Sequence, residues 1–271
     1  MRTGYPPMGA TRHPSLGSAL AKELGSDEDP LPRYVSIGAF RAFNRESFGP
    51  GYLGPKYAPL VVGATDVAGS AAGDQHGSDF AELKIESVRP PQGVSDEQMT
   101  RRLELWQQMQ ERFVSTHPGG VAEAHHTVYD RAVRLMNSDA AKAFDLSGEP
   151  AKVREAYGKG LFGQGCLMAR RLVEQGVPFV EVALSGGGGA GQGWDTHTNN
   201  FEAVKSLSEQ LDAGWGTLMR GLADRNLLES TTIVWLGEFG RTPQVNGAGG
   251  RDHFPRAWSC VLGGGGIAGG Q

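Results

Sequence analysis

The chain has 271 residues, of which 39% are hydrophobic and 21% charged, enough for one large α/β domain or two small ones. A formal charge of -4 excludes the strongly basic balance of a nucleic-acid binder. No apolar run is long enough to span a bilayer, and residues 1–10 lack the apolar core of a signal peptide.

His13-Pro14-Ser15 leads into a short predicted helix, about Ser15–Leu24, ended by Gly25. Tyr34–Ile37 reads as a strand. Residues 38–80 are rich in Gly, Pro and aromatics without a sustained period, with one short strand at Leu60–Val62. Ser95 opens a helix whose first turn carries Asp96 and Glu97, suited to the helix dipole. It runs to about Ser115, and its apolar spacing predicts burial of Met99, Leu103, Trp106, Met109, Gln110 and Phe113. His117-Pro118-Gly119-Gly120 breaks it. A second helix, about Ala122–Met136, a short one within Ser138–Phe144 and a Pro-led turn or helix at Glu149–Gly158 follow. Residues of about 38–158 thus form a loop-rich, then mostly helical region of a single domain spanning 1–271.

From Gly160 the pattern becomes regular. Leu161–Gln175 reads as a helix and Val177–Leu184 as a strand. Asn199–Ala223 is the clearest amphipathic helix, with Phe201, Val204, Leu207, Leu211, Trp215, Leu218 and Leu222 at three- and four-residue steps. Thr231–Leu236 is a short apolar run rich in β-formers and reads as a buried strand. Strand, helix and strand with this crossover predict a right-handed βαβ unit with parallel strands. Both strand ends then open on one edge of the sheet, where ligands bind in open α/β folds. A last strand-like run, Trp258–Leu262, follows. The two cysteines, Cys166 and Cys260, are too far apart for a disulfide framework or zinc-finger pattern. Their apolar neighbours predict two buried free thiols.

That shared edge gathers the polar residues. The first loop holds Trp194, Asp195, Thr196, His197, Thr198 and Asn199. The second holds Glu238, Arg241 and Thr242, with Asp252 and His253 just beyond. Carboxylate and imidazole suit zinc, manganese or iron. Asp195 and His197, two apart on a loop, can reach one ion; alternatively Asp195 caps the helix that follows. Glu238 is a ligand or general base, or a salt-bridge partner of Arg241. Arg241 offers planar donors to an oxyanion. His125 and His126, adjacent on a helix, point in different directions and read as surface residues. His13 leads into a helix and could approach the site; His76 and His117 read as solvated loop residues. Residues 185–189 lack the Gly-Lys-Ser/Thr ending of a phosphate-binding P-loop.

GWDTH (193–197), the strand followed by GEFGRTP (232–243) and GRDHFP (250–255) resemble the bacterial DUF1501 family. HPSLGS (13–18) and GVPFVEV (176–182) fit it too. That family resembles the alkaline phosphatase and sulfatase superfamily of metal-dependent α/β hydrolases. The resemblance implies an alkaline-phosphatase-like, mostly parallel sheet flanked by helices, incomplete at both termini, and a divalent metal (zinc, manganese, iron or calcium) held by Asp195, His197, Glu238 and His253. Arg241 and Asp252 are the implied catalytic groups. Asn199 and Phe239 stand where the superfamily carries His, so one of two usual metal sites is altered. Members of the family begin with a twin-arginine export signal and a first strand bearing a nucleophile, and the chain opens after both. The expected function is hydrolysis of a small anionic phosphate or sulfate ester. The alternative is a non-catalytic exported scaffold that keeps the fold. Neither reading involves nucleic acid.

Overall fold

A computed structural model describes residues 3–6, 9–26, 28–39, 45–63, 80–83, 85, 93–117, 120–184 and 193–270, and all side chains among them except those of 96 and 121–125. The predicted glycine loop at 185–189 and His76 lie outside the described residues.

Three strands form a parallel sheet: β1 (Tyr34–Ile37), β2 (Leu60–Val62) and β3 (Phe179–Val182), in the order β2-β1-β3. Val35 lies opposite Leu60 on one side and Val180 on the other. Strand side chains alternate between faces, and here both faces are covered. Val35, Ile37 and Val62, each fully buried, meet α5 (Leu161–Glu174), whose Cys166, Leu167, Met168 and Leu172 are buried in the same cluster. Tyr34 and Ser36 face the other way. The Tyr34 hydroxyl donates to Glu181 at 2.6 Å, and α1 (Leu16–Leu24) lies over its ring. A Cβ at Gly17 would fall 2.5 Å from the Tyr34 ring, so only glycine lets α1 sit this close. Ser15 caps α1 by accepting from the Ser18 amide.

Around this centre lie α2 (Asp96–Thr116), α3 (Gly120–Met136), α4 (Ala151–Tyr157) and α6 (Asn200–Ala223). The protein is therefore α/β, with helices on both faces of a small parallel sheet. Burial of α2 differs from the expectation. Met109 and Phe113 are exposed, and Met99, Leu103, Trp106 and Gln110 are only half-buried. The helix meets α3, where Trp106 stacks on Tyr129 at 4.9 Å, while Met109 and Phe113 of its apolar stripe face water. Spacing marks a face; it does not supply a partner for it.

An ionic network centred on the buried Arg170 ties α5 to its surroundings. Arg170 bonds Glu149 at 2.7 Å and Glu174 at 2.6 Å, Arg171 bonds Glu149 at 2.6 Å, and Arg225 reaches Glu174 at 2.5 Å. Desolvation raises the Glu149 carboxyl, but the two guanidiniums outweigh it and hold its pKa below the usual carboxylate range.

The expected parallel unit across α6 does not form. β4 (Thr232–Leu236) pairs antiparallel with β7 (Cys260–Gly264) in a separate sheet, with Val234 opposite Leu262. Its one covered face packs on α6, where Trp235 stacks on Trp215 at 6.0 Å. The other face is bare, so β4 is not the buried strand its composition predicts: Val234 is 50% exposed, Leu236 47% and Leu262 50%. Cys260 is likewise exposed, whereas Cys166 is buried and burial pushes its thiol pKa up.

Candidate metal centre

The loop after β3 enters α6 through Trp194–Asn199, and a second segment runs from the end of β4 to β6 (His253–Phe254). In that second segment β5 (Gly240–Arg241) pairs antiparallel with β6, which sets Arg241 opposite His253. Pro243 and the run Asn246–Gly250 turn the chain between them. The turn is closed by Thr242, whose amide donates to the Asp252 carbonyl at 2.9 Å while its hydroxyl accepts from the Asp252 amide at 3.1 Å.

Backbone contacts bring the two loops together. Thr198 and Gly249 form a β-bridge, the Arg251 amide donates to the Thr196 carbonyl at 3.0 Å, and the Asn200 amide donates to the Gly249 carbonyl at 3.0 Å. A Cβ at Gly250 would fall 1.8 Å from the His197 carbonyl oxygen, so the approach requires glycine. Asn199 takes the left-handed conformation (φ 47°) where the loop turns into α6, a strained position that asparagine tolerates. Its side chain makes no capping bond, and neither does Asp195 cap the helix.

Asn246 organises the junction. Its Oδ1 accepts from the amides of Ala248 (2.9 Å) and Gly250 (3.0 Å), and its Nδ2 donates to the His197 carbonyl (3.0 Å) and to Asp252 Oδ1 (3.2 Å). One side chain thereby shapes its own turn and fastens it to the other loop. Sequence reading passed over Asn246. The available signal was an asparagine opening a glycine-rich turn, where its side chain commonly bonds the backbone two residues on.

At this junction three donor atoms converge. His197 Nε2 is 3.1 Å from His253 Nε2 and 3.1 Å from Asp195 Oδ1, and His253 Nε2 is 3.0 Å from the same oxygen. His197 Nδ1 lies 2.9 Å from Asp252 Oδ1. An ionised carboxylate only accepts, so His197 Nδ1 donates in the bond to Asp252. Arg241 donates to Asp195 Oδ1 at 2.5 Å. The Phe239 ring lies 4.5 Å from that of His253 and under the Arg241 guanidinium. Desolvation raises the Asp195 carboxyl, but hydrogen bonds from His253 and Arg241 and the nearby positive charge hold its pKa below the ordinary value. The bonds from His197 and Asn246 do the same for Asp252.

Of the residues expected at the site, Asp195, His197 and His253 share one cluster, with Arg241 and Asp252 bonded to its members. Glu238 is not brought in. It is exposed, and among the described residues it has no hydrogen bond or ion pair. His13 stacks on Tyr5 at 3.8 Å and His117 bonds the end of α2. His126 is half-buried with its ring edge-on to Trp106, and the side chain of His125 lies outside the described residues.

Among curated proteins and among solved structures, none matches the chain. A family profile does, that of "Protein of unknown function (DUF1501)", over residues 1–271, and the chain belongs to this family.

Proposed function

We propose that the protein is a metal-dependent hydrolase of small phosphate or sulfate esters, with a divalent cation held by Asp195, His197 and His253. The observation that carries this reading is the equilateral set of two imidazole nitrogens and one carboxylate oxygen, 3.0–3.1 Å apart. Ligands on one face of an octahedral ion, each about 2.1 Å from it, stand about 3 Å from one another. The donor set suits zinc, iron or manganese better than calcium, which prefers oxygen throughout. Asp252 behind His197 supplies the outer carboxylate that orients a ligating imidazole. A cation in such a site polarises an ester oxygen and lowers the pKa of bound water.

The chain's own groups do the rest. Asp252 and Asn246 fix the His197 ring. Arg241, part-buried beside Asp195, offers guanidinium donors to an anionic ester oxygen. Phe239 packs on His253, so the residue that replaces a ligand in the resemblance supports one here. The parallel β2-β1-β3 sheet between α1 and α5 is compatible with an alkaline-phosphatase-like architecture, and export through a twin-arginine signal belongs to the same reading.

A second reading has its own observation. Asp195 Oδ1 already accepts from Arg241 and His253, so the cluster can close on itself without an ion, as in a non-catalytic exported scaffold. Elemental analysis of dialysed protein, with turnover of an aryl phosphate and an aryl sulfate, separates the two. We expect near-stoichiometric transition metal in the parent and in Glu238→Gln, and loss of metal and turnover in His253→Ala. An ion-free parent whose melt ignores chelator would leave the scaffold standing.

A further inference from the structure

α2 carries two apolar ridges, and the fold covers one of them. Met99, Leu103, Trp106, Gln110 and Val114, spaced by three and four, are half-buried. Leu105, Met109 and Phe113, spaced by four, form a second ridge about 100° further round the helix. These three are 59%, 63% and 49% exposed. Tyr129 of α3, itself exposed and stacked on Trp106, extends the apolar surface onto the neighbouring helix. Leu, Met and aromatic side chains gathered in water on one helical face are the composition of an interface core.

The charges around this ridge indicate what covers it. Arg102 continues the ridge toward the start of α2, and Glu104 and Arg112 flank it, each one residue before an apolar member. Among the described residues, none of these three side chains has an ion pair or hydrogen bond. Two copies of α2 laid antiparallel, with Met109 at the two-fold axis, set Leu105 opposite the partner's Phe113. Glu104 and the partner's Arg112 then lie on one flank, about 3 Å apart along the axis, two residues of helical rise. That is within reach of an ion pair, and the symmetry makes the pair twice. Arg102 reaches the partner's last turn, whose carbonyls carry the negative end of the helix dipole and which has no basic residue of its own. A parallel pair would instead set Glu104 beside the partner's Glu104 and Arg112 beside the partner's Arg112.

We infer that α2 is the contact of a symmetric dimer of this chain, formed by antiparallel pairing of the Leu105-Met109-Phe113 ridges. The helix has 21 residues, about 31 Å of length, and six ridge side chains meet in the pair. That is the extent of a reversible interface rather than an obligate one, and a dissociation constant on the order of 10–100 μM is expected.

The test is sedimentation velocity of the full chain from about 1 to 300 μM, a range that brackets such a constant. Reductant is present because Cys260 is exposed. A concentration-dependent monomer–dimer equilibrium is expected. Met109→Glu sets two carboxylates at the axis and should leave monomer at every concentration, with the fold kept because the position is exposed. Glu104→Arg and Arg112→Glu should each weaken the dimer several-fold. The double variant should recover the parental affinity, a rescue that requires the two residues to face each other across the pair. Cross-linking reads the same geometry independently. In a Cys260→Ser background with added oxidant, Met109→Cys should form an intermolecular disulfide, and Gln107→Cys, on the far side of α2, should not. Monomer throughout the range, or a dimer that Met109→Glu leaves intact, would overturn the inference. A dimer lost in Met109→Glu but not rescued in the double variant would overturn the antiparallel order. A parent that stays monomeric yet floats with anionic vesicles would assign the ridge to a lipid surface instead.

Discussion

The β2-β1-β3 sheet and the β4–β7 ribbon are built from similar apolar, β-rich runs, yet the central strand of one is dry on both faces and the other stands half in water. Val35, Ile37 and Val62 are fully buried, while Val234 and Leu262 are half exposed. The strands do not differ enough in composition to explain this. The helices do: α1 and α5 lie on the two faces of the first sheet, and among the described residues α6 alone covers a face of the second. The candidate metal centre hangs from the second, less covered half. Its order comes from hydrogen bonds between loops rather than from packed side chains, which suits a site that ligands must enter.

Breaking the packed half should have the largest effect. Leu167, fully buried against the sheet, is expected to lose about 3–5 kcal/mol as Leu167→Ala in denaturant unfolding, the range for a large cavity in a core. A loss under about 1 kcal/mol would mean that α5 is not the centre of stability. Next comes the ionic network. Glu149→Gln leaves Arg170 and Arg171 without their shared carboxylate and should cost on the order of 3 kcal/mol at pH 7. The folded carboxyl titrates below its unfolded value of about 4.3, so its contribution is present above that pH and disappears as pH falls through the folded pKa. The gap between parent and variant should therefore narrow in melts taken progressively below about pH 4.3; a constant gap would point to packing instead. The smallest effect sharpens the contrast. Asn246→Asp places a carboxylate beside Asp252 and the His197 carbonyl, removing two donors. Hydrogen exchange across residues 246–252 should speed about tenfold, corresponding to roughly 1.4 kcal/mol of local opening, with the global midpoint unmoved. A shifted midpoint would show that the loops and the core unfold together.

The sequence made the packed half easier to read than the ribbon. Ser15 before Leu16 and the three- to four-residue apolar steps of α6 are local signals, and those helices form where they point. The partner of β4 is not local: β7 lies beyond a loop that also builds the site, and a crossover rule for parallel strands does not apply once β4 turns antiparallel. At the centre, the residue types and loop positions of Asp195, His197 and His253 were enough to nominate them. Glu238 was nominated by the same strand-end logic, but a position at a strand end does not fix the direction of a side chain. Asn246 escaped because its work is done through backbone groups, which a sequence does not display.

Asn246 is followed by Gly247, the succession in which a backbone nitrogen attacks the side-chain amide most readily and leaves aspartate or its isomer behind. The amides of Ala248 and Gly250 hold that side chain in place and shield it while the turn is closed. Each opening of the turn lifts the shield. The junction of the two loops is therefore also a slow clock: in storage, water and time make the same substitution a mutagenesis primer would, and the protein ages first at its candidate site while its core stays intact.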